Sequence, residues 1–298
     1  MRKRNWRQYN KALVQRGSLT FLIDPKVIKS LSLNTNHRSR GRPLEFSDQF
    51  IELLLMIKIH YKMPYRMLEG FTRFFFEKTH PTTSVPTYSL ICKRAKALCR
   101  KLPRLSPRRP VTVIVDSTGI KIQGEGEWKV KIHGKGRPRK WIKIHVAIDE
   151  KTQEIVGELC TEPSVGDATA FPSVLNQVRN HVKTVIADGA YDGRKVRLAI
   201  QEKGGRALIP PPKHAVYQGI DPDRDRAVLD IRALWGDKTA RSIWGKMTGY
   251  SRRALVETTF SRYKKMFGDR VFSKTRERQI VENRLKCVIL NKMMKKVA

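Results

Sequence analysis

Apolar positions recur with a helical period over the first third of the chain and with a strand period beyond it. Ser47 precedes the run Phe50, Ile51, Leu53 to Ile57 and Ile59, which predicts a serine-capped helix ending near His60. Pro64 opens a second segment, PYRMLEGFTRFFF, and the turn-rich HPTTSVPTYS separates it from a third. That third segment, from about Ser89 to Leu102, sets Leu90, Ile91, Ala95, Leu98 and Leu102 on one stripe. Lys93, Arg94, Lys96, Arg100 and Lys101 occupy the rest of its surface. The three helices predict a small all-α domain over residues 1–105.

PRLSPRRP, residues 103–110, cannot continue a helix and marks a domain boundary. After it come VTVIVD (111–116), the alternating WIKIHVAID (141–149) and EIVGELC (154–160), all read as strands. Residues 168–182 read as a helix, KTVIAD (183–188) as a buried strand, GRKVRLAIQEKG (193–204) as a helix and ALIPP (207–211) as an edge strand. The order βββαβαβ predicts an α/β fold over 106–298, a ribonuclease-H-like mixed sheet with flanking helices, although a mixed sheet of other topology fits the same string. Residues 212–242 read as an insertion or long loop. From about Gly249 the chain is expected to be helical, with the apolar stripe of ENRLKCVILNKMMKKVA packed on the sheet.

Charge changes the picture. Among 298 residues, 61 Lys and Arg face 27 Asp and Glu, a net charge of +34 with 40% apolar content. A surface of this kind calls for a polyanion. No run of 18 apolar residues exists to suggest a membrane, so double-stranded nucleic acid is the expected partner. The basic excess is greatest over residues 1–110, which makes the predicted helical domain a helix-turn-helix-like DNA-binding module. Lys93, Arg94, Lys96 and Arg100 are its candidate contacts, and a merely solvated amphipathic helix satisfies the same pattern. Cys92, Cys99, Cys160 and Cys287 form no C-x-x-C pair and have no His at zinc-ligand spacing, which argues against a disulfide framework or a zinc finger. MRKRNWRQYN is followed by no apolar secretory core, so the chain is expected in the cytoplasm, on the nucleoid.

Candidate chemistry rests on acids. Asp116 directly follows VTVIV and Asp188 follows TVIA, each where a buried strand emerges from the sheet. If those strands are parallel neighbours, their ends lie about 5 Å apart and the carboxylates converge. An Asp at a strand end also simply starts turns, so each alone is weak. In YSRRALVETTFSRYK, residues Tyr250, Arg253, Glu257 and Lys264 fall within roughly 60° of one another on a helix, one polar stripe. Ala254, Leu255, Val256 and Phe260 would pin that helix to the core. Three converging carboxylates repel one another unless a cation sits among them. An all-oxygen set of this kind suits Mg²⁺ or Mn²⁺, and two ions would serve an in-line phosphoryl displacement.

VDSTG around Asp116, DGAYDG around Asp188 and Y-x₂-R-x₃-E-x₆-K at Tyr250, Arg253, Glu257 and Lys264 together resemble the three blocks of bacterial insertion-sequence DDE transposases. The opening NWRQYNKALVQRGSLTFLID resembles that of the "insertion sequence five" family. The resemblance implies a metal-dependent transposase that binds terminal inverted repeats, cleaves the element ends and joins them to target DNA, self-associating on DNA as it does so. It makes Asp116, Asp188 and Glu257 the catalytic metal ligands and Tyr250, Arg253 and Lys264 DNA contacts near them.

Other residues carry two readings each. His133 and His145 could meet phosphate or be structural. Gly124, Gly126, Gly134 and Gly136 suit a loop over DNA or a plain hairpin. Trp128, Trp141, Trp235 and Trp244 could stack on bases or fill the core. Competing functions are a nuclease of the same fold that uses the acids without joining ends, and a DNA-binding regulator or domesticated nuclease derived from a transposase.

Overall fold

The computed structural model describes residues 5–15, 45–79, 84–98, 109–122 and 141–295. Arg100, Trp128, His133, the four glycines of 124–136, the proline-rich linker up to residue 108 and most of the N-terminal opening lie outside the described residues. The chain forms two compact units, residues 103–271 and residues 1–102 joined by 272–298.

The helical unit holds α1 (Trp6–Gln15), α2 (Asp48–His60), α3 (Tyr65–Thr79), α4 (Tyr88–Leu98) and α10 (Arg276–Lys295). Ser47 caps α2 as its sequence predicts, its hydroxyl accepting from the Phe50 N–H at 3.1 Å. Apolar residues surround most of α2, with Phe50, Ile51, Leu53 to Ile57 and Ile59 all buried, so it needs partners on several sides. It packs on α3, α4 and α10. The expectation that α10 lies on the sheet is therefore corrected: its Val281, Leu285, Val288, Ile289 and Met293 are buried within the helical unit. An amphipathic stripe states that a helix must be covered and not by what. Beneath it, the buried Glu282 carboxylate accepts from the Phe272 and Ser273 N–H groups at 3.1 and 2.9 Å and pairs with Lys286 at 2.9 Å.

The other unit is built on one mixed sheet. Its strands are β1 (Val111–Ile122), β2 (Trp141–Asp149), β3 (Ile155–Thr161), β4 (Val182–Ile186), β5 (Arg206–Leu208) and the short β6 (Arg270–Val271). They run in the order β3-β2-β1-β4-β5, with β6 pairing the far end of β1. β1, β2 and β3 are antiparallel neighbours, whereas β4 and β5 run parallel to β1. Helix α5 (Asp167–Leu175) links β3 to β4, and α6 (Arg194–Glu202) links β4 to β5. This is the ribonuclease-H-like arrangement expected from the element order. Its core gathers Val113, Val115, Val185 and Ala187 from the strands with Phe171, Val174, Val196 and Ile200 from the helices. Gly157 lets α5 approach β3, since a Cβ there would lie 2.7 Å from the Val174 carbonyl oxygen.

Residues 212–242 are not a long loop. They contain α7 (Pro222–Ala233) and the start of α8 (Lys238–Thr248), and Ala227, Ile231, Ala240 and Trp244 of these two helices form a small core of their own. Apolar residues are sparse here because ion pairs share the packing. Arg197 of α6 meets Asp192 at 2.6 Å, and Arg224 of α7 reaches the other oxygen of that carboxylate at 3.2 Å, with all three side chains largely buried. Beyond Gly249, residues Tyr250–Arg253 form a 3₁₀ turn, followed by α9 (Ala254–Phe267).

Candidate active site

Strand pairing aligns the first two acids. Ile114 of β1 is in register with Ile186 of β4, so Asp116 and Asp188, each two residues further on, reach the same level; Asp116 is not at a strand end as expected but in the middle of β1, still paired with Val146 of β2, and the level is set by where β4 stops. β4 has ended by Asp188, and the edge of β1 beside Asp116 is left open between β4 and β6. Both acids also accept from nearby backbone N–H groups. Asp116 Oδ1 accepts from the Ser117 N–H at 2.8 Å, and Asp188 Oδ1 accepts from the Ala190 N–H at 2.9 Å, capping a one-turn 3₁₀ helix. One oxygen of each carboxylate is thereby fixed.

Glu257 comes to this end of the sheet on α9, which is pinned by Val256, Thr259, Phe260, Tyr263 and Phe267. Ala254 and Leu255, expected in that face, are exposed and half-buried. At about 100° per residue Leu255 falls at the edge and Ala254 opposite the face of Val256 and Phe260, while the 3₁₀ turn before Ala254 means that the stripe drawn from Tyr250 follows the α-helical period only from α9 on. Arg253 nevertheless sits one helical turn before Glu257, and its guanidinium bridges two of the acids. One terminal nitrogen donates to Asp116 Oδ2 at 3.3 Å and the other to Glu257 Oε1 at 2.5 Å. Glu257 is more than half exposed, so its pair with Arg253 contributes only about 0.2–1 kcal/mol and is easily exchanged. Lys264, two turns on, donates to the Thr118 hydroxyl at 2.8 Å, on the β1 face that carries Asp116.

The acids sense one another. Burial is the largest influence on Asp116 and raises its carboxyl above the ordinary range; the Ser117 N–H and Arg253 oppose this, while Asp188 and Glu257 reinforce it. The Tyr250 phenol is raised first by burial, then by all three acids, against Arg253. Tyr250 is thus beside the same cluster despite lying in the 3₁₀ turn. The buried Tyr191 phenol is raised as well, by burial and then by Asp167, Asp116 and Asp188. No role for Tyr191 was read from DGAYDG; its place between two acidic residues of one motif was the available signal.

Among the described residues no three His, Cys, Asp or Glu side chains close around one point to hold a metal ion. The Asp116 and Glu257 carboxylates meet on the Arg253 guanidinium instead. Their chemistry fits a hard divalent cation: the oxygens facing Arg253 are carboxylate oxygens, and Asp116 is burdened by two like charges that such a cation would relieve.

His145 lies apart from this chemistry. Its Nε2 is 2.9 Å from the Thr161 hydroxyl and its Nδ1 3.4 Å from Asp167, and burial lowers its pKa to about 4, a neutral structural imidazole. Trp244 is in the core and Trp235 is exposed. In the helical unit, Lys93 and Lys96 are exposed, with Lys96 3.5 Å from Glu277. Arg94 is engaged within the unit, donating to the Phe46 carbonyl at 2.5 Å and pairing with Asp48.

Comparison with known proteins shows the family. A family model described as a transposase DDE domain matches residues 107–292, and a second with the same description matches residues 14–125. The chain belongs to the DDE-domain transposases, enzymes that cut and transfer DNA. Among solved structures, a piggyBac transposase synaptic complex with hairpin DNA is 10% identical, over 96% of this chain and 81% of that one, with a TM-score of 0.27. A pre-cleavage Mos1 transpososome is 13% identical, over 91% and 84%, with a TM-score of 0.22. No helix among the described residues is long and apolar enough to cross a membrane.

Proposed function

We propose that the protein is an insertion-sequence transposase of the bacterial "insertion sequence five" type. It binds the terminal inverted repeats of its element, cleaves the ends and joins them to target DNA, working as a self-associated assembly on the nucleoid. Asp116, Asp188 and Glu257 are the catalytic acids and would hold Mg²⁺ or Mn²⁺, as one ion or a pair. The observation that carries this reading is the pairing register, which brings Asp116 and Asp188 level on adjacent parallel strands, with Arg253 joining Asp116 to Glu257. When bound, the metal supplies charge neutralisation for a phosphoryl group and activation of water or a 3′-hydroxyl.

The chain's own residues bind and orient the DNA. Arg253 and Lys264 present cationic donors on either side of Glu257, and Tyr250 brings a phenol that burial and the acids hold protonated. Residues 106–271 are assigned the chemistry. Residues 1–105, completed by 272–298, are assigned end recognition, with the exposed Lys93 and Lys96 as better placed contacts than Arg94.

The test is a plasmid carrying the coding region with its native flanks, incubated with purified protein and Mg²⁺. Wild-type protein should nick or excise at the flanks. Asp116→Asn, Asp188→Asn and Glu257→Gln should each lose more than about a hundredfold in cleavage rate, a few kcal/mol of transition-state stabilisation, while retaining DNA binding. Near-wild-type cleavage by any one of them would remove that residue from the catalytic set.

A further inference from the structure

Arg253 does more than flank Glu257. Asp116 Oδ1 accepts from the Ser117 N–H, which orients the carboxylate, and Oδ2 is the oxygen that Arg253 takes. Its second terminal nitrogen takes Glu257 Oε1. A single guanidinium therefore neutralises two of the three acids through oxygens that a shared metal ion would need. A divalent cation and Arg253 cannot both fill that place. The same planar fork also matches two oxygens of one phosphodiester, which would take both N–H donors at once, whereas Asp116 and the exposed Glu257 each take one.

We infer that Arg253 is a resident counter-ion that couples DNA binding to metal binding. Without DNA it occupies the acids and weakens their hold on a divalent ion. A DNA phosphate draws the guanidinium off Asp116 and Glu257, and the uncovered carboxylates then bind the ion. By linkage the coupling is reciprocal, so metal must also tighten DNA binding by the same factor. Arg253 is in this respect a positioning residue, and the site would be charged with metal chiefly when a phosphate backbone lies over it. The inference rests on the reading of Asp116, Asp188 and Glu257 as the metal-binding acids.

The experiment is Mn²⁺ binding to the full chain, followed by the electron paramagnetic resonance signal of the free ion, with and without a short DNA duplex. Parallel titrations of Asp116→Asn subtract ions held by the DNA itself. Wild-type protein should gain about tenfold in Mn²⁺ affinity when the duplex is added. Arg253→Gln should bind Mn²⁺ about tenfold more tightly than wild type in the absence of DNA and gain little on adding it. Arg253→Lys, which keeps the charge and loses the planar two-pronged fork, should fall between. Arg253→Gln binding Mn²⁺ no more tightly than wild type without DNA, while Asp116→Asn loses the ion, overturns the counter-ion role and leaves the catalytic assignment standing. If Asp116→Asn holds Mn²⁺ as well as wild type, the reading of the acids fails and the coupling fails with it. Should Arg253→Gln not fold by circular dichroism, Arg253→Lys decides: a DNA-induced gain smaller than wild type supports the coupling, and an equal gain overturns it.

Discussion

The Trp244 indole of α8 packs against the Tyr250 ring, with centroids 5.6 Å apart and planes tilted by 40°. Through this contact the helical insertion, whose core is Ala227, Ile231, Ala240 and Trp244, supports a residue that senses all three acids. The insertion is thus a buttress for the site. Trp244 is 3% exposed, and its Nε1 has no hydrogen-bond partner among the described residues. Trp244→Phe, which removes that unpaired donor and keeps a ring, should cost less than about 1.5 kcal/mol. Trp244→Ala should cost about 3–5 kcal/mol in denaturant unfolding and slow cleavage at temperatures where the protein is still folded. Full cleavage activity in a folded Trp244→Ala protein would separate the insertion from the chemistry.

Helix α10 completes the helical unit, because α2 is apolar on faces that α3 and α4 do not cover alone. A chain ended after Val271 should therefore lose DNA binding as well as stability, although every basic residue of 1–102 is retained. Limited proteolysis is the direct check: α2 and α4 should become cleavable in the truncated chain and stay protected in the full one. Equal protection in both would mean that residues 1–102 fold without α10.

How far the sequence reading reached follows from the range of each signal. The runs VTVIV and TVIA each lead to an acid, so the level of Asp116 with Asp188 could be expected from the pattern, whereas the continuation of β1 through Asp116 to Ile122 could not, because DSTG reads as a turn. Arg253 and Glu257, four residues apart, obey helical geometry even across the start of α9. Tyr250 was harder, because Gly249 in the left-handed region (φ 73°) ends α8 and turns the chain into a 3₁₀ segment that a 3.6-residue period does not describe. The partner of α10 and the folding of 212–242 were not legible. The first depends on contacts across more than 200 residues of sequence. In the second, buried pairs such as Asp192–Arg224 take places that an apolar pattern would have revealed.

Glu282 and Lys286 form the buried pair of the helical unit, with side chains 5% and 2% exposed. Burial pushes the Glu282 carboxyl up, but Lys286 and the Ser273 and Phe272 groups that donate to it outweigh this, and its pKa is lowered. Glu282→Ala takes from the buried Lys286 the carboxylate it pairs with at 2.9 Å and should cost about 3–5 kcal/mol. Replacing both by Leu and Met should recover much of that loss. A double variant no more stable than Glu282→Ala would show that the turn at Phe272 and Ser273, rather than the charge, sets the cost.

His145 should give the protein a pH dependence that is independent of the acids at the sheet end. Its imidazole is buried, close to the Thr161 hydroxyl and Asp167, and its pKa of about 4 lies well under the usual 6.5 because burial penalises the charged ring. Between those two values the unfolded chain binds a proton that the folded chain refuses, so stability rises with pH across this window and is lost as pH falls through it. The full contribution is present above about pH 6.5, and by pH 5 roughly 2 kcal/mol of it should be gone. A His145→Gln variant carries no such proton and should lack this part of the slope, whatever its stability at pH 7. Denaturant unfolding at pH 7, 6 and 5 therefore compares slopes and not absolute stabilities. Parallel curves for wild type and His145→Gln would mean that His145 takes up its proton in the folded state, with Asp167 as the partner that receives the charge.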